Sequence, residues 1–162
     1  MKEYKQLNIK ELFNLAFQNQ KKKNFKIAIS QYKKIIDVNP NLALVYYNLG
    51  LIHEQLGENE VAQENYKKSV KVDPSFFHSH NNLGILFQKQ GEKEKAIENF
   101  KKVIETNSQY INAYNNLGLV YSSLGQYKEA INNFIKTLEL DKNNSVAKKK
   151  FNIFNYLLFY KQ

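Results

Sequence analysis

The chain has 162 residues, no cysteine and a formal net charge of +9, and all 24 of its basic residues are lysine. The absence of cysteine excludes disulfides, thiolate metal sites and cysteine nucleophiles. Lysine offers a point charge and not the bidentate fork of arginine, so we do not expect nucleic acid as a partner. Since the N-terminus lacks the apolar run of a secretory signal and no segment reaches the roughly 18 apolar residues of a membrane span, we expect a cytoplasmic protein.

A leucine followed by a very small residue recurs four times along the chain, each time 34 residues after the last, and this distance is the repeat period. The pairs are Leu15-Ala16, Leu49-Gly50, Leu83-Gly84 and Leu117-Gly118. Later in each repeat an alanine is followed, four residues on, by an aromatic residue. These residues are Ala28, Tyr32, Ala62, Tyr66, Ala96, Phe100, Ala130 and Phe134. Small residues let two helices approach closely, and the aromatic ring fills the space beside them, so each repeat is predicted to be a helix pair.

Two apolar segments of helical period make up each repeat, and a glycine separates them in the last three repeats. Gly57, Gly91 and Gly125 suit the left-handed conformation that ends a helix. Asn39-Pro40 and Asp73-Pro74 suit an N-cap followed by proline in the first turn. The pattern predicts helices at 8–21, 25–38, 40–55, 59–72, 74–89, 93–106, 108–123, 127–140 and 144–160.

The period and these residues resemble the tetratricopeptide repeat (TPR) family. In the second repeat the resemblance rests on Leu49-Gly50, Ala62, Tyr66 and Pro74. It implies an all-α fold, a right-handed α-α superhelix in which the first helix of each pair lines a concave groove. We expect an N-terminal lead-in at 1–8, four repeats at 9–42, 43–76, 77–110 and 111–144, and a capping helix at 145–162.

An asparagine precedes the leucine in all four repeats, at Asn14, Asn48, Asn82 and Asn116. At about 100° per residue, these side chains point away from the core and toward the implied groove. Asparagine costs about 0.5–0.7 kcal/mol relative to alanine inside a helix, so folding does not call for it. An amide both donates and accepts hydrogen bonds, and can therefore bind the main chain of an extended peptide. Duplication of one repeat without any function is the alternative origin.

This series resembles the asparagine ladder in the TPR superhelix of O-linked N-acetylglucosamine transferases, a similarity that concerns the repeats only. The carboxylate clamp for chaperone C-termini fits poorly, because only Asn48 matches it. Neighbouring positions of the first helices complete the predicted groove residues. They are Lys10, Phe13, Phe17, Tyr47, His78, Asn81, Asn112 and Asn115. Lys10, Phe13 and Phe17 favour an apolar ligand residue at the first repeat, although the two phenylalanines could instead pack against Met1–Leu7.

Catalytic and metal sites are not predicted. His78 and His80 lie two residues apart and point to different sides of a helix, so they cannot share a metal ion. The sequence contains no glycine-rich phosphate loop, no Ser/His/Asp arrangement and no isolated pair of carboxylates. We therefore expect no enzyme activity and no cofactor.

The last segment, "SVAKKKFNIFNYLLFYKQ", departs from the repeat. Phe151, Phe154 and Leu158 have helical spacing and are predicted to cover the last repeat. Other apolar residues lie off that stripe, at Ile153, Tyr156, Leu157 and Tyr160. They can contact a second copy in a homodimer, pack back along the repeats, or contact a partner or a membrane surface with the help of nearby lysines.

Three functions fit these patterns. The first is a protein-interaction module that holds an extended peptide or a flexible partner segment through the asparagines, as an adaptor, a co-chaperone-like protein or an assembly factor. The second is a homo-oligomeric scaffold assembled through the C-terminal helix. The third is the TPR segment of a larger enzyme. The sequence does not identify the ligand, because grooves of one fold accept unrelated partners.

Overall fold

The computed structural model describes the backbone of residues 8–160 and the side chains of residues 8–156. Within this range the chain forms nine α-helices and no strand. The helices are α1 (Ile9–Lys21), α2 (Phe25–Val38), α3 (Ala43–Gln55), α4 (Asn59–Val72), α5 (Phe77–Lys89), α6 (Lys93–Thr106), α7 (Ile111–Ser123), α8 (Tyr127–Leu140) and α9 (Ser145–Tyr160). The all-α class predicted from the repeat is confirmed.

The second helix of every repeat has the predicted bounds, at α2, α4, α6 and α8. The first helices of the last three repeats begin at Ala43, Phe77 and Ile111, each three residues after the predicted start. Pro40 and Pro74 therefore lie before the helices, and the prediction that they occupy the first helical turn is wrong.

The turns before these helices are formed by side-chain hydrogen bonds. The side-chain oxygens of Asn39 and Asp73 accept hydrogen bonds from the backbone N–H groups two residues on, at 3.0 and 2.9 Å. Asn107 and Asp141 form the same turn at 3.1 and 3.0 Å without a following proline. An Asn or Asp that folds back on its own backbone is therefore the common feature, and it delays the helix start.

Close packing within a repeat depends on the small residue of the first helix. A Cβ atom on Gly84 would lie 2.6 Å from the ring of Phe100, and one on Gly118 would lie 2.6 Å from the ring of Phe134. Both rings are fully buried. The second repeat has the same arrangement. The predicted pairing of small residue and aromatic ring is confirmed.

The chain divides into two compact units at the bond between Ser79 and His80, which lies inside α5. In the N-terminal unit α1 packs on α2 and α3, α2 packs on α3, and α3 packs on α4. A core cluster of this unit consists of Ala16, Ala28, Tyr32, Ile35, Val45, Leu49 and Ile52. Side chains of α1 and α3 thus share one apolar interior.

In the C-terminal unit α6 packs on α7, α7 on α8, and α8 on α9. Phe154 of α9 is 7% exposed, and its ring stacks on Tyr127 and Phe134 with centroids 5.1 and 6.2 Å away. Phe151 is partly buried against the same cluster. These two residues cover the last repeat as predicted, whereas the side chain of Leu158 lies outside the described residues.

The last helix keeps the register of the repeat. α9 begins at Ser145, one repeat period after the start of α7 at Ile111. Its buried Ala147 corresponds to the buried Ala113 of α7. α9 therefore corresponds to the first helix of a further repeat.

Three helices of the described chain are followed by a glycine with positive φ, at Gly57, Gly91 and Gly125, with φ of 78°, 79° and 74°. This confirms the predicted left-handed helix ends. The first repeat has no glycine there, and Lys23 takes the left-handed conformation with φ of 61°. A side chain with a Cβ atom is disfavoured in that conformation, so this helix end is strained.

Candidate peptide-binding surface

The four asparagines of the predicted ladder have different environments. Asn14 is exposed, and Asn82 and Asn116 are half-buried. Asn48 is only 4% exposed, and its Nδ2 donates a hydrogen bond to the carbonyl oxygen of Leu44 at 2.9 Å. The prediction that all four side chains are displayed away from the packed interior is therefore wrong for Asn48.

The physical reason is the position of α3 inside the N-terminal unit. This helix packs on α1 and α2 as well as on α4. A side chain that points away from α4, its own repeat partner, is not thereby exposed. Once Asn48 is enclosed, its amide bonds the backbone carbonyl four residues earlier, which is the usual way for a short polar side chain to be satisfied inside a helix.

An apolar cleft lies beside two predicted groove residues of the first repeat. It has a volume of about 350 Å³ and is lined by Ile9, Lys10, Phe13, Leu42, Leu44 and Val45. These residues belong to α1, to α3 and to the turn before α3. Lys10 is exposed and is the charged member of the lining. The cleft suits an apolar ligand side chain, and Lys10 can pair with a carboxylate beside it.

Phe13 and Phe17 form one aromatic surface. The ring of Phe13 meets Tyr32 edge-on at a centroid distance of 5.7 Å and stacks on Phe17 at 6.4 Å. Lys21 places its Nζ 4.6 Å from the centroid of Phe17, a cation–π contact. Phe17 nevertheless remains 39% exposed. The alternative that these phenylalanines pack against Met1–Leu7 lies outside the described residues.

Leu42 and Leu44 line the cleft but are absent from the sequence-based prediction. The signal for Leu44 is present in the period, because it lies one repeat after Lys10 and one repeat before His78, both predicted groove residues. It was not predicted because a leucine near the start of a helix is usually interpreted as a core residue. In the structure Leu44 is 45% exposed.

Aromatic rings occupy the equivalent place one repeat further along the N-terminal unit. Tyr47 is the repeat equivalent of Phe13. Its ring centroid is 5.4 Å from that of Phe76 and 5.7 Å from that of His78, which are the equivalents of the two leucines of the cleft. Partial burial lowers the pKa of His78 below its ordinary value and so favours the neutral ring.

In the C-terminal unit asparagine replaces the aromatic residue. Asn81 and Asn115 are the equivalents of Phe13 and Tyr47. The side-chain carbonyl oxygens of both are buried and accept no hydrogen bond from the described residues. Asn81 is 6% exposed, and its Nδ2 donates to Oδ1 of Asn82 at 3.2 Å. A buried acceptor without a donor costs about 1–3 kcal/mol, so each of these asparagines lowers the stability of its unit.

Asn112, the remaining predicted groove residue, is exposed in the first turn of α7. It is the repeat equivalent of Lys10, Leu44 and His78. This position therefore changes from a cation, through an apolar side chain and an aromatic ring, to an amide along the chain.

Two of the four apolar residues predicted to form an oligomer or partner contact are exposed on α9. Ile153 is 42% exposed and Tyr156 is 58% exposed. The side chains of Leu157 and Tyr160 lie outside the described residues. Contact of this exposed surface with another molecule stays a prediction.

Metal binding and membrane crossing are not supported by the described residues. Within residues 8–156, no three His, Cys, Asp or Glu side chains form a group that could hold a metal ion. No helix in the described part of the chain is both long and apolar enough to cross a membrane. On the second helices, Lys67, Lys102 and Lys136 pair with glutamates three residues away at 3.0, 2.8 and 2.8 Å, so part of the positive charge is neutralised locally.

Comparison with protein families identifies the repeat. Tetratricopeptide repeat models match residues 43–76, 65–98 and 111–144, and a TPR repeat model matches residues 21–57 and 89–125. The matches together extend over 21–144. Comparison with curated proteins found no match.

Solved structures give the same result. MamA is 30% identical with a TM-score of 0.79, and the alignment covers 87% of this chain and 82% of MamA. YrrB, a TPR protein with an unusual peptide-binding site, is 18% identical with a TM-score of 0.81 over 93% of this chain and 77% of YrrB. The first TPR of Spaghetti (RPAP3), bound to the HSP90 peptide SRMEEVD, is 23% identical with a TM-score of 0.68 over 72% of this chain and 92% of that one. The last two establish the fold alone. The chain belongs to the tetratricopeptide repeat family.

Proposed function

We propose that this chain is a protein-interaction module that binds an extended peptide or a flexible segment of a partner protein on the predicted groove residues. Its role would be that of an adaptor, a co-chaperone-like protein or an assembly factor. The observation that carries the proposal is the apolar cleft between α1 and α3 with Lys10 at its edge. Peptide binding also occurs within this family, as in the first TPR of Spaghetti with its HSP90 peptide.

The cleft defines the first feature of the ligand. Its lining is apolar apart from Lys10, and its volume of about 350 Å³ suits one large aliphatic or aromatic side chain. A carboxylate next to that side chain would pair with the exposed ammonium group of Lys10. The expected ligand therefore carries an apolar residue beside an acidic residue or a terminal carboxylate.

The amides define the second feature. Asn14 in the N-terminal unit, and Asn82 and Asn116 in the C-terminal unit, retain exposed surface. Within the C-terminal unit, Asn82 and Asn116 lie on first helices of adjacent repeats, which pack about 10 Å apart, so a chain advancing about 3.3 Å per residue would meet these two amides about three residues apart. Such contacts hold the main chain and read little of the ligand sequence. Asn48 is left out of this set because it is only 4% exposed.

The cleft is tested with a peptide selected from a random display library by the full chain. Leu44→Glu is compared with Leu56→Glu, because both leucines are 45% exposed and only Leu44 lines the cleft. Calorimetry is expected to show roughly tenfold weaker binding for Leu44→Glu, because a carboxylate repels the ligand acid and disfavours its apolar anchor. Equal affinities for the two variants would remove the cleft from the proposal.

The amides are tested by replacing Asn14, Asn82 and Asn116 together with alanine. Asn132→Ala is the control, because Asn132 is exposed on α8, a second helix. Each lost hydrogen bond is expected to weaken binding by about 0.5–1.5 kcal/mol. Alanine is the better helix residue by about 0.5–0.7 kcal/mol per site, but Asn82→Ala also removes the acceptor of the Asn81 Nδ2, so urea unfolding of the triple variant is measured beside its affinity. Unchanged affinity in a stable triple variant would exclude the amide contacts.

A second candidate function, a homo-oligomeric scaffold, is favoured by the exposure of Ile153 and Tyr156 on α9. Light scattering on the full chain tests it directly. A dimer that becomes monomeric on Tyr156→Glu, with helical content unchanged, would support assembly through α9. A monomer at all accessible concentrations would exclude it.

A further inference from the structure

We infer that α9 and α7 form a second ligand surface within the C-terminal unit, and that this surface binds an acidic extended segment of a partner protein. The inference rests on the proposed function, because it gives α9 a share in binding the same kind of ligand. α9 would then be both the cover of the last repeat and part of the binding surface. Three observations support it: the register of α9, its surface charge, and the buried side-chain oxygen of Asn115 on α7.

The register of α9 places its exposed side chains at predicted groove positions. Val146 corresponds to Asn112, and Lys149 corresponds to Asn115, each one repeat period later. Val146 is 45% exposed and Lys149 is also exposed. Ile153, at 42% exposure, follows Lys149 by four residues and lies on the same side of the helix. α9 thus presents an apolar and cationic row where the earlier first helices present predicted groove residues.

The side of α9 that would face a second helix is polar instead. Asn152 corresponds to Gly118, the residue that packs on Phe134 of α8 in the last repeat. Asn152 is exposed, and so is Lys148, which lies four residues earlier on the same side. That side is therefore suited to water. Val146 and Ile153 lie about 120° and 100° round the helix from Asn152. They are not left over from capping, because capping is done by Phe151 and Phe154.

The charge of this segment indicates the chemistry of the ligand. Residues 145–162 contain four lysines and no aspartate or glutamate. Lys148 and Lys149 are exposed, and Lys150 places its Nζ 5.7 Å from the centroid of Phe154. Elsewhere surface lysines such as Lys102 and Lys136 pair with glutamates of their own helix. A cationic surface without its own carboxylates favours an acidic partner.

Asn115 supplies an independent observation at the same surface. Its side-chain carbonyl oxygen is buried without a donor, although the residue as a whole is half-buried. The terminal torsion of asparagine is broad, so a turn about χ2 exchanges the places of Oδ1 and Nδ2 and can present the oxygen to a main-chain N–H of a bound segment. Phe13, the equivalent residue in the N-terminal unit, offers no such acceptor.

An acidic segment fits this surface better than a second copy of the chain. The chain has a net charge of +9, so a second copy brings the same excess of lysine to the contact. Like charges at an interface oppose association. An extended acidic segment with an apolar side chain meets Lys149, Val146 and Ile153 with complementary groups.

The test uses the peptide selected from a random display library by the full chain, with Lys149→Glu and Lys148→Glu as matched variants. Both lysines are exposed, and both substitutions change the net charge by the same amount. Lys148 lies about 100° further round the helix, away from the row. The selected peptides should be rich in aspartate and glutamate. Lys149→Glu should weaken binding roughly tenfold, and Lys148→Glu by less than about threefold.

Several results would overturn the inference. Equal losses in the two variants would mean that only overall charge matters. Retained affinity in Lys149→Glu together with loss in Leu44→Glu would leave the proposed function standing and remove α9 from it. Retained affinity in both Lys149→Glu and Leu44→Glu would contradict both proposals. Binding of wild type and Lys148→Glu to phosphatidylserine vesicles that is lost in Lys149→Glu, without peptide binding, would assign α9 to a lipid surface. A dimer dissociated by Ile153→Glu would assign it to a second copy.

Discussion

Phe13 and Tyr47 of the N-terminal unit occupy the repeat position that Asn81 and Asn115 occupy in the C-terminal unit. The aromatic residues pack on neighbouring rings, and Phe13 forms one wall of an apolar cleft. The asparagines leave two carbonyl oxygens buried without donors. The same repeat position thus holds an aromatic residue in one unit and an asparagine in the other, and the asparagine contributes less to the stability of the fold. The difference supports the proposal that the two units contact different parts of a ligand, with an apolar surface at Phe13 and amide groups at Asn81 and Asn115.

The largest expected effect comes from giving the N-terminal unit the residue of the C-terminal unit. Tyr47→Asn removes ring contacts with Tyr66, Phe76 and His78. We expect the free energy of unfolding in urea to fall by about 2–4 kcal/mol. Val61→Asn, at a position of α4 that is 44% exposed, is the control and should change it by less than about 0.5 kcal/mol. Similar small losses in both variants would show that the aromatic cluster contributes little.

The reverse exchange should stabilise the C-terminal unit. Leucine branches at Cγ as asparagine does, and Asn81→Leu removes both the buried acceptor and the hydrogen bond from Nδ2 to Asn82. Removal of the acceptor is worth about 1–3 kcal/mol and loss of the hydrogen bond costs about 0.5–1.5 kcal/mol, so the free energy of unfolding is expected to rise by about 1 kcal/mol. Asn132→Leu, at an exposed position of α8, provides the comparison and should gain no more than about 0.5 kcal/mol. A loss of stability in Asn81→Leu would mean that a donor satisfies this oxygen in solution.

A smaller difference concerns the helix ends. Lys23 has φ of 61° where the later repeats have glycine, so Lys23→Gly should relieve strain and raise the stability by about 1 kcal/mol. Gly57→Ala at the equivalent position of the second repeat should lower it by about the same amount. Thermal unfolding measures both. Changes of the same sign in the two variants would contradict the assignment of a left-handed conformation to this position.

The smallest expected effect is a pH dependence of the aromatic cluster. Partial burial lowers the pKa of His78, whereas the unfolded chain has the ordinary value of about 6.5. As the pH falls, the unfolded state therefore binds the proton before the folded state does. The contribution of His78 to the free energy of unfolding is fully present above the ordinary pKa of about 6.5 and is lost as the pH falls toward the lowered pKa. An NMR titration of the His78 ring should give a pKa below the ordinary value. A value at or above it would mean that burial is not the controlling influence.

The repeat itself was predictable because it depends on short sequence distances. Gly84 and Phe100 belong to the same repeat, and their contact follows from one helix pair that recurs with the period. The same holds for the glycines with positive φ, which report local backbone geometry. Helix periodicity and turn chemistry were sufficient for these features.

Features that depend on several neighbours were not predictable in the same way. The burial of Asn48 follows from helices on more than one side of α3, which a helical wheel of one repeat does not contain. The cleft forms because Leu44 of α3 lies beside Phe13 of α1. The burial of the Asn115 side-chain oxygen without a donor depends on all the atoms around it, which the sequence does not give. The late starts of α3, α5 and α7 reflect side-chain turns that compete with a proline-based start. These details of the site depend on how the helices pack, and the sequence pattern of one repeat does not predict them.

The most direct measurement is a titration of the full chain with its selected peptide, followed through the side-chain amide NMR signals of asparagine. Binding along the predicted groove residues should shift the signals of Asn14, Asn82 and Asn116. The signals of Asn132 and Asn59, which are exposed on the second helices α8 and α4, should stay in place. A saturating peptide that shifts the second pair and leaves the first three unmoved would contradict the proposal that the amides of the first helices hold the ligand.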